Sequence, residues 1–229
     1  MVGKYPCSEA NLARSNPTTA AISKRRFLRV LFYTLLLMLV AIPTASTIGL
    51  PQTAIKFLLG ICLLAAALPN GTRRTRNLLI AAVVVLLLAR FASEQGYVPT
   101  TSGLFPSLYG LIGLIAAAAA LRFAVSAERI DSEIIFAALS TYLLAGLFFG
   151  QIYWALEQAV PGSLVGPDPV TDATTVYYSF VTLATLGYGD YLPRTDLARG
   201  LATFEVIGGQ LFLAVMVARL IGAFETTKS

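Results

Sequence analysis

The chain offers little of the chemistry that enzymes and metal sites use. It contains no histidine and two cysteines among 229 residues, and only 13% of its residues are charged. Without a cluster of histidines or cysteines, the sequence shows neither a transition-metal site nor a catalytic constellation. We therefore expect that the protein is not an enzyme and binds no cofactor. Cys7 lies in a polar N-terminal stretch and Cys62 in an apolar block, so we expect no disulfide between them.

Most residues of the chain are apolar. They make up 56% of the chain, and the mean hydropathy is +0.73. Blocks long enough to cross a bilayer, about 17 to 25 residues each, recur along the chain. The sequence therefore predicts an all-α membrane protein with six transmembrane helices, at 27–42, 50–68, 78–92, 104–125, 133–156 and 196–224.

The distribution of basic residues predicts the orientation. With the N-terminus in the cytoplasm, all but four of the 17 Lys and Arg residues fall on the inner side, the exceptions being Lys56, Arg90, Arg194 and Arg199. We interpret the net charge of +5 in this way and expect no nucleic acid partner. Both termini are then cytoplasmic in a multi-pass protein of the cell membrane. A cleaved signal, with Lys24–Arg26 ahead of the first apolar block, stays open as an alternative.

The segment Thr185–Asp190, TLGYGD, lies between the last two apolar blocks. An ion that enters a narrow pore loses water, and backbone carbonyls can replace that water. Carbonyls of successive residues face one axis only if some residues adopt positive φ, which glycine does at little cost, and Gly187 and Gly189 alternate as this requires. Thr185 adds a hydroxyl, while we expect Leu186 and Tyr188 to turn their side chains back into the protein.

TLGYGD resembles the TxGYGD selectivity filter of the potassium channel superfamily, and the resemblance extends over roughly residues 134–224. It implies an outer helix, a short re-entrant pore helix, the filter loop and an inner helix. It also implies that potassium ions, the permeant ligand, bind at Thr185, Leu186, Gly187 and Tyr188, with Gly189 completing the filter. Four identical chains would form the ring, so the resemblance predicts a homotetramer in contact with membrane lipid.

Further residues are assigned to the support of this filter. The segment 172–184 is expected to form the pore helix, capped by Thr171 or Asp172. Tyr177 and Tyr178 occupy the places where many channels have paired tryptophans, so we expect their hydroxyls to brace Asp190 and Tyr188. Tyr153 and Trp154 are interpreted as anchors at the membrane interface.

The last helix carries the other candidates. Gly209, with Gly208, lies where related channels place a gating hinge, although close helix packing explains small residues equally well. By resemblance, one helical face lines the cavity below the filter. Glu205 is either a buried brace that accepts hydrogen bonds or a pH sensor. The members of the cavity face are Gln210, Leu213, Ala214, Val217 and Ile221.

The six blocks resemble the layout of voltage-gated channels without their sensor. The fourth block contains only Arg122, whereas a sensor needs several charges that move through the field. We therefore predict a passive, potassium-selective channel with weak or no voltage dependence. The predicted units are a disordered cytoplasmic tail (1–26), a four-helix transmembrane domain (27–126), a cytoplasmic linker (127–133), the pore domain (134–224) and a short cytoplasmic C-terminus (225–229).

Two other functions stay open at this point. One is a channel-like subunit of a transport or sensing complex that conducts little itself. The other is a nonselective cation channel. The sequence does not distinguish them from the first, because all three can carry the same loop.

Overall fold

The computed structural model describes residues 17–48, 58–62, 77, 80–81, 84–85, 108, 110–115, 117–118, 121 and 132–226. These residues are mostly helical. Two short strands interrupt the helices in the C-terminal part. The elements are α1 (Pro17–Ile48), α2 (Ser132–Ala159), β1 (Leu164–Val165), α3 (Asp172–Leu183), β2 (Leu192–Pro193) and α4 (Asp196–Thr226).

Two helices of the described residues are long and apolar enough to cross a membrane. They are Glu133–Ala159 within α2 and Asp196–Gly222 within α4. The apolar part of α1, Leu28–Thr44, is shorter. The fifth and sixth predicted blocks thus correspond to α2 and α4, each extended by a few residues. The described parts of the second, third and fourth blocks are also helical.

Helix α1 begins earlier than the sequence analysis expected. Residues 17–26, which were assigned to a disordered tail, are helical from Pro17 onward. That part of the prediction is wrong, and its cause is local. Proline is favourable at the first helical position because its missing N–H has no intrahelical partner there, and Ala20 and Ala21 follow with the highest helix propensity.

The hydrophobic core joins α1 to the C-terminal helices. Buried side chains of α1 pack against α2 and against Val176 of α3. The Arg29 guanidinium also lies 5.7 Å from the ring centroid of Phe136, a cation–π contact between α1 and α2. The first helix is therefore packed directly on α2 and α3 of its own chain. The buried members from these two helices are Leu31, Leu35, Met38, Leu143, Leu144, Leu147 and Phe148.

Helix α3 is short and is fixed at its N-terminus. Thr171 is its N-cap, and the Thr171 and Thr174 side chains form a reciprocal capping box. The Gln151 Nε2 of α2 donates to Asp172 Oδ1 at 2.7 Å. These bonds hold the beginning of α3 to the middle of α2. Helix α4 is capped in a similar way, since Ala198 N donates to Thr195 Oγ1 at 3.3 Å.

The strands β1 and β2 join the chain segment before α3 to the segment that follows residue 190. Leu164 pairs with Pro193 and Val165 with Leu192 in antiparallel register, and Arg194 N donates to the Ser163 carbonyl at 2.8 Å. The sequence analysis did not predict this pairing, because strands of two residues carry no periodic pattern. Its consequence is that the segment after residue 190 is held to the segment after α2.

Several predictions concern residues outside the described part of the chain. These include the start of the N-terminal tail, Cys7, Arg122 of the fourth predicted helix and most of the linker at 127–133. The assignment of residues 27–126 to one four-helix domain also stays a prediction.

Close packing between α2 and α3 yields a test at Gly150. A Cβ at Gly150 would lie 2.7 Å from Val176 Cα, an atom of the facing backbone that cannot move away independently. We expect Gly150→Ala to force the helices apart and destabilise the protein by about 1–3 kcal/mol. Thermal melting in detergent measures this.

The matched control is Gly200→Ala. No atom of the described residues lies within 4 Å of a Cβ at Gly200, and alanine favours helix over glycine. We expect its melting temperature to equal or exceed that of the wild type. Equal melting curves for the Gly150 and Gly200 variants would contradict the described packing of α2 on α3.

Candidate functional site

The candidate site begins where α3 ends. Ala184 and Thr185 donate to carbonyls of the last helical turn, those of Phe180 and Thr182. Leu186 N and Gly187 N then both reach the Val181 carbonyl, at 2.9 and 3.3 Å. The helix therefore ends in a tight turn that leads directly into TLGYGD. The negative end of the α3 dipole lies at the first residues of this loop.

The loop backbone is left-handed at alternate residues. The φ angles are 58° at Thr185, 56° at Gly187 and 78° at Gly189, and Thr185 is the one non-glycine residue with positive φ among the described residues. A Cβ at Gly187 or Gly189 would meet no atom of the described chain within 4 Å. Backbone conformation, rather than lack of space, therefore requires glycine at these two positions.

The whole loop is exposed on the surface of the single chain. Every residue from 184 to 190 is exposed, including Leu186 at 55% and Tyr188 at 66%. The expectation that these two side chains turn back into the protein stays a prediction, because the described residues of the single chain do not cover them. Neither α3, which precedes the loop, nor β2, which follows it, covers these side chains.

Tyr177 and Asp190 are brought together as expected. The Tyr177 hydroxyl donates to Asp190 Oδ2 at 2.8 Å, and Tyr191 N donates to Asp190 Oδ1 at 3.0 Å. The hydrogen bond to Asp190 raises the pKa of the Tyr177 hydroxyl to about 12, so it is a donor throughout the neutral range. This pair connects the pore-helix candidate α3 to the outer end of the loop.

Tyr178 has a different environment. It is buried and packs edge-on against Tyr153, with ring centroids 4.9 Å apart. Within one chain, Tyr178 therefore supports the contact between α3 and α2, and the expected brace to Asp190 or Tyr188 is not formed. Tyr153 is fully buried as well, so its interpretation as an interface anchor is wrong.

The five residues assigned to a cavity face lie on one exposed side of α4. All five, Gln210, Leu213, Ala214, Val217 and Ile221, are exposed in the single chain. Gln210 is the nearest of them to the loop, with its Nε2 3.5 Å from Thr185 Oγ1. The loop and this face of α4 are thus both left uncovered by the described residues of their own chain.

The adjacent glycines Gly208 and Gly209 differ sharply in their surroundings. A Cβ at Gly209 would lie 2.7 Å from the Leu183 carbonyl oxygen, whereas a Cβ at Gly208 would meet no atom of the part of the chain that the structure describes within 4 Å. The Leu183 carbonyl also accepts from the Tyr142 hydroxyl at 3.3 Å. Gly209 thus allows α4 to approach the end of α3 closely, while the hinge role stays a prediction.

Glu205 lies behind α3 and is completely buried. Its Oε2 accepts from the Tyr153 hydroxyl at 2.8 Å, and its Oε1 lies 2.5 Å from Ser179 Oγ. One carboxyl group of α4 thereby contacts both α2 and α3. Glu205 is recognisable from sequence as an ionisable residue in an apolar helix, whereas the contact of Ser179 and the buried role of Tyr153 were not predicted. Neither has a signal in sequence, since serine and tyrosine are common in apolar helices.

Comparisons with known proteins agree with this geometry. The sequence profile of a family described as ion channel matches residues 137–226, which run from within α2 to the end of α4. The chain is similar to the inward rectifier potassium channel Kirbac3.1 of Paramagnetospirillum magnetotacticum, with 37% identity over 36% of this chain and 27% of that protein. Residues 137–226 are therefore similar to ion channels, and the relatives that match this segment include potassium channels. Similarity to ion channels implies a location in a membrane.

Two further relatives belong to eukaryotes. Two pore potassium channel c of Oryza sativa subsp. japonica is 37% identical over 35% of this chain and 17% of that protein. The voltage-gated potassium channel regulatory subunit KCNF1 of Rattus norvegicus is 29% identical over 38% of this chain and 17% of that protein. The chain thus covers less than a third of the length of each of these relatives. No solved structure matches it.

Tyr177→Phe tests the link between α3 and the loop. Loss of one hydrogen bond of about 0.5–1.5 kcal/mol should speed amide hydrogen exchange at residues 184–191 about threefold to tenfold. Tyr33→Phe is the control, because Tyr33 is exposed on α1 and its hydroxyl makes no hydrogen bond to a described residue. Unchanged exchange in Tyr177→Phe would show that the bond does not hold the loop.

The two glycines of α4 provide a second test within the site. We expect Gly209→Ala to lower the melting temperature, because the Leu183 carbonyl belongs to the backbone and must shift, while Gly208→Ala leaves it unchanged or raises it. Normal melting curves for both variants would contradict the packing role of Gly209.

Proposed function

We propose that the protein is a passive, potassium-selective channel and that Thr185, Leu186, Gly187, Tyr188 and Gly189 form its selectivity filter. The observation that carries this proposal is the alternation of left-handed backbone at residues 185, 187 and 189. Reversal of backbone twist at every second residue is what lets successive carbonyls face one side. Rings of such carbonyls are the way in which potassium channels replace the water of an ion.

In this proposal α3 is a re-entrant pore helix between the transmembrane helices α2 and α4. Its C-terminus leads into the filter, so its dipole favours a cation there. Tyr177 and Asp190 hold the outer end of the filter. Gln210 and the other exposed residues of the same α4 face line the cavity below, where an amide is compatible with water.

The proposed assembly is a homotetramer. One chain contributes one filter strand, and a ring of carbonyls needs several copies around an axis. The exposed loop and the uncovered face of α4 support this, because only 17% of the apolar window of α4 is buried within the chain. Leu186 and Tyr188 would then pack against a neighbouring copy.

The wider topology belongs to the same proposal. Six transmembrane helices, with both termini in the cytoplasm, place the filter loop on the outer side of the cell membrane. Residues 27–126 would form a transmembrane domain without a charge ladder, and conduction would depend weakly or not at all on voltage. The protein would bind potassium as its permeant ion and need no cofactor.

A second candidate function is a channel-like subunit that conducts little by itself. One relative, KCNF1, is named as a regulatory subunit, and its similarity covers the same pore segment. A nonselective cation channel is the third. Liposomes that contain only this protein separate the three, because they give potassium flux alone, no flux, or comparable potassium and sodium flux.

Gly187→Ala tests the assignment of the filter in these liposomes. Left-handed backbone costs a residue with Cβ about 1–2 kcal/mol, or about 4–8 kcal/mol over four chains. We expect potassium flux to fall at least tenfold, with Gly200→Ala as the control that conducts normally. Selective flux that survives Gly187→Ala would contradict the proposed filter.

A further inference from the structure

The buried contacts of Glu205 involve more oxygen pairs than the hydroxyl protons can bridge. Three short oxygen–oxygen contacts form one connected group. Glu205 Oε2 lies 2.8 Å from the Tyr153 hydroxyl oxygen, Glu205 Oε1 lies 2.5 Å from Ser179 Oγ, and Ser179 Oγ lies 2.7 Å from the Gly146 carbonyl oxygen. All three distances fall in the range of O–H···O hydrogen bonds.

Each such contact needs one proton between its two oxygens, because bare oxygens repel at this separation. Tyr153 supplies one proton and Ser179 supplies one, since a hydroxyl has a single donor. The Gly146 carbonyl has none. Two protons therefore serve three contacts, and the carboxyl group of Glu205 is the remaining group in the cluster able to supply another.

The surroundings of Glu205 agree with a neutral carboxyl. The titratable groups that face it are Tyr142 and Tyr153 from α2 and Tyr178 from α3, all of them neutral hydroxyls. No lysine or arginine of the described residues forms an ion pair with it. It borders an apolar cavity of about 280 Å³, whose wall includes Phe149, Phe204 and Phe212. An ionised carboxylate without a cationic partner is costly in such a place.

We propose that Glu205 is protonated in the folded protein, donates its proton to Ser179 and accepts from Tyr153, and in this way positions α3. Ser179 is then free to donate to the Gly146 carbonyl. One uninterrupted set of hydrogen bonds connects α2, α3 and α4 directly behind the filter. Glu205 is a positioning residue, since it acts on the filter through α3. This positioning role rests on the proposed channel function, whereas the protonation does not.

The first experiment measures the proton. Wild-type protein labelled with ¹³C at the glutamate carboxyl groups has seven labelled sites, and all exposed ones are ionised at neutral pH. We expect one carboxylic acid signal in solid-state NMR at neutral pH, and we expect it to vanish in Glu205→Gln. Glu157→Gln is the control, because Glu157 accepts from the backbone N–H groups of Gly162 and Leu164 and lies outside the Glu205 cluster, so the carboxylic acid signal should persist in this variant.

The second experiment measures positioning by melting temperature and by the ratio of potassium to sodium flux in liposomes. Glu205→Gln keeps one donor for Ser179 and one acceptor for Tyr153, so we expect values close to those of the wild type. Glu205→Leu has neither. We expect it to melt at a lower temperature and to lose about tenfold in the flux ratio.

The outcomes are separable. A wild-type spectrum without a carboxylic acid signal overturns the proposal whether or not any variant folds, and so does a signal that persists in Glu205→Gln. Wild-type behaviour of Glu205→Leu in both measurements overturns the positioning role. Absence of flux from the wild type would count against the channel function, while the spectrum would still decide the protonation.

Discussion

The left-handed backbone at residues 185, 187 and 189 is the constraint on which the structure from α3 to β2 depends. Each such residue is held in a conformation that a chain of L-amino acids avoids, and Thr185 adopts it without the freedom of glycine. Local interactions cannot maintain three of them in one exposed loop. The structure around the loop supplies the support through the end of α3, the bond from Tyr177 to Asp190 and the strand pair after residue 190.

The supports lie at opposite ends of the loop and have different chemistry. The inner end follows α3, whose last carbonyls accept from Thr185, Leu186 and Gly187. The outer end is held by polar side chains and by the pairing of β2 with β1. Between these ends, the described residues of the same chain leave the loop exposed. A loop that is held at its ends and exposed in its middle is compatible with the proposed homotetramer, in which copies of the loop would face one another around an axis.

How much of this the sequence predicts depends on the range of the interaction. The bounds of α2, α3 and α4 follow largely from apolar length. Thr171 caps α3 as predicted, and Thr195 caps α4 directly before the predicted start of the last helix at 196. These are local signals. The contacts of Tyr153 and Ser179 with Glu205 were missed, because they join residues 52 and 26 positions apart. The exposure of Leu186 and Tyr188 was missed too, since resemblance to an assembly says nothing about which chain covers a side chain.

The same distinction applies to the polar groups inside the apolar region. The burial of the Glu205 carboxyl group cannot be explained from α4 alone, because its hydrogen-bond partners lie on α2 and α3. In an apolar surrounding such bonds favour association, since separation of the helices would leave the polar groups without partners. Glu205 and the close approach of Gly209 to Leu183 lie one turn apart on α4, and both act on α3. Helix α4 therefore fixes α3 by a polar contact at one level and by backbone proximity at the next, and a movement of α4 that alters one must alter the other.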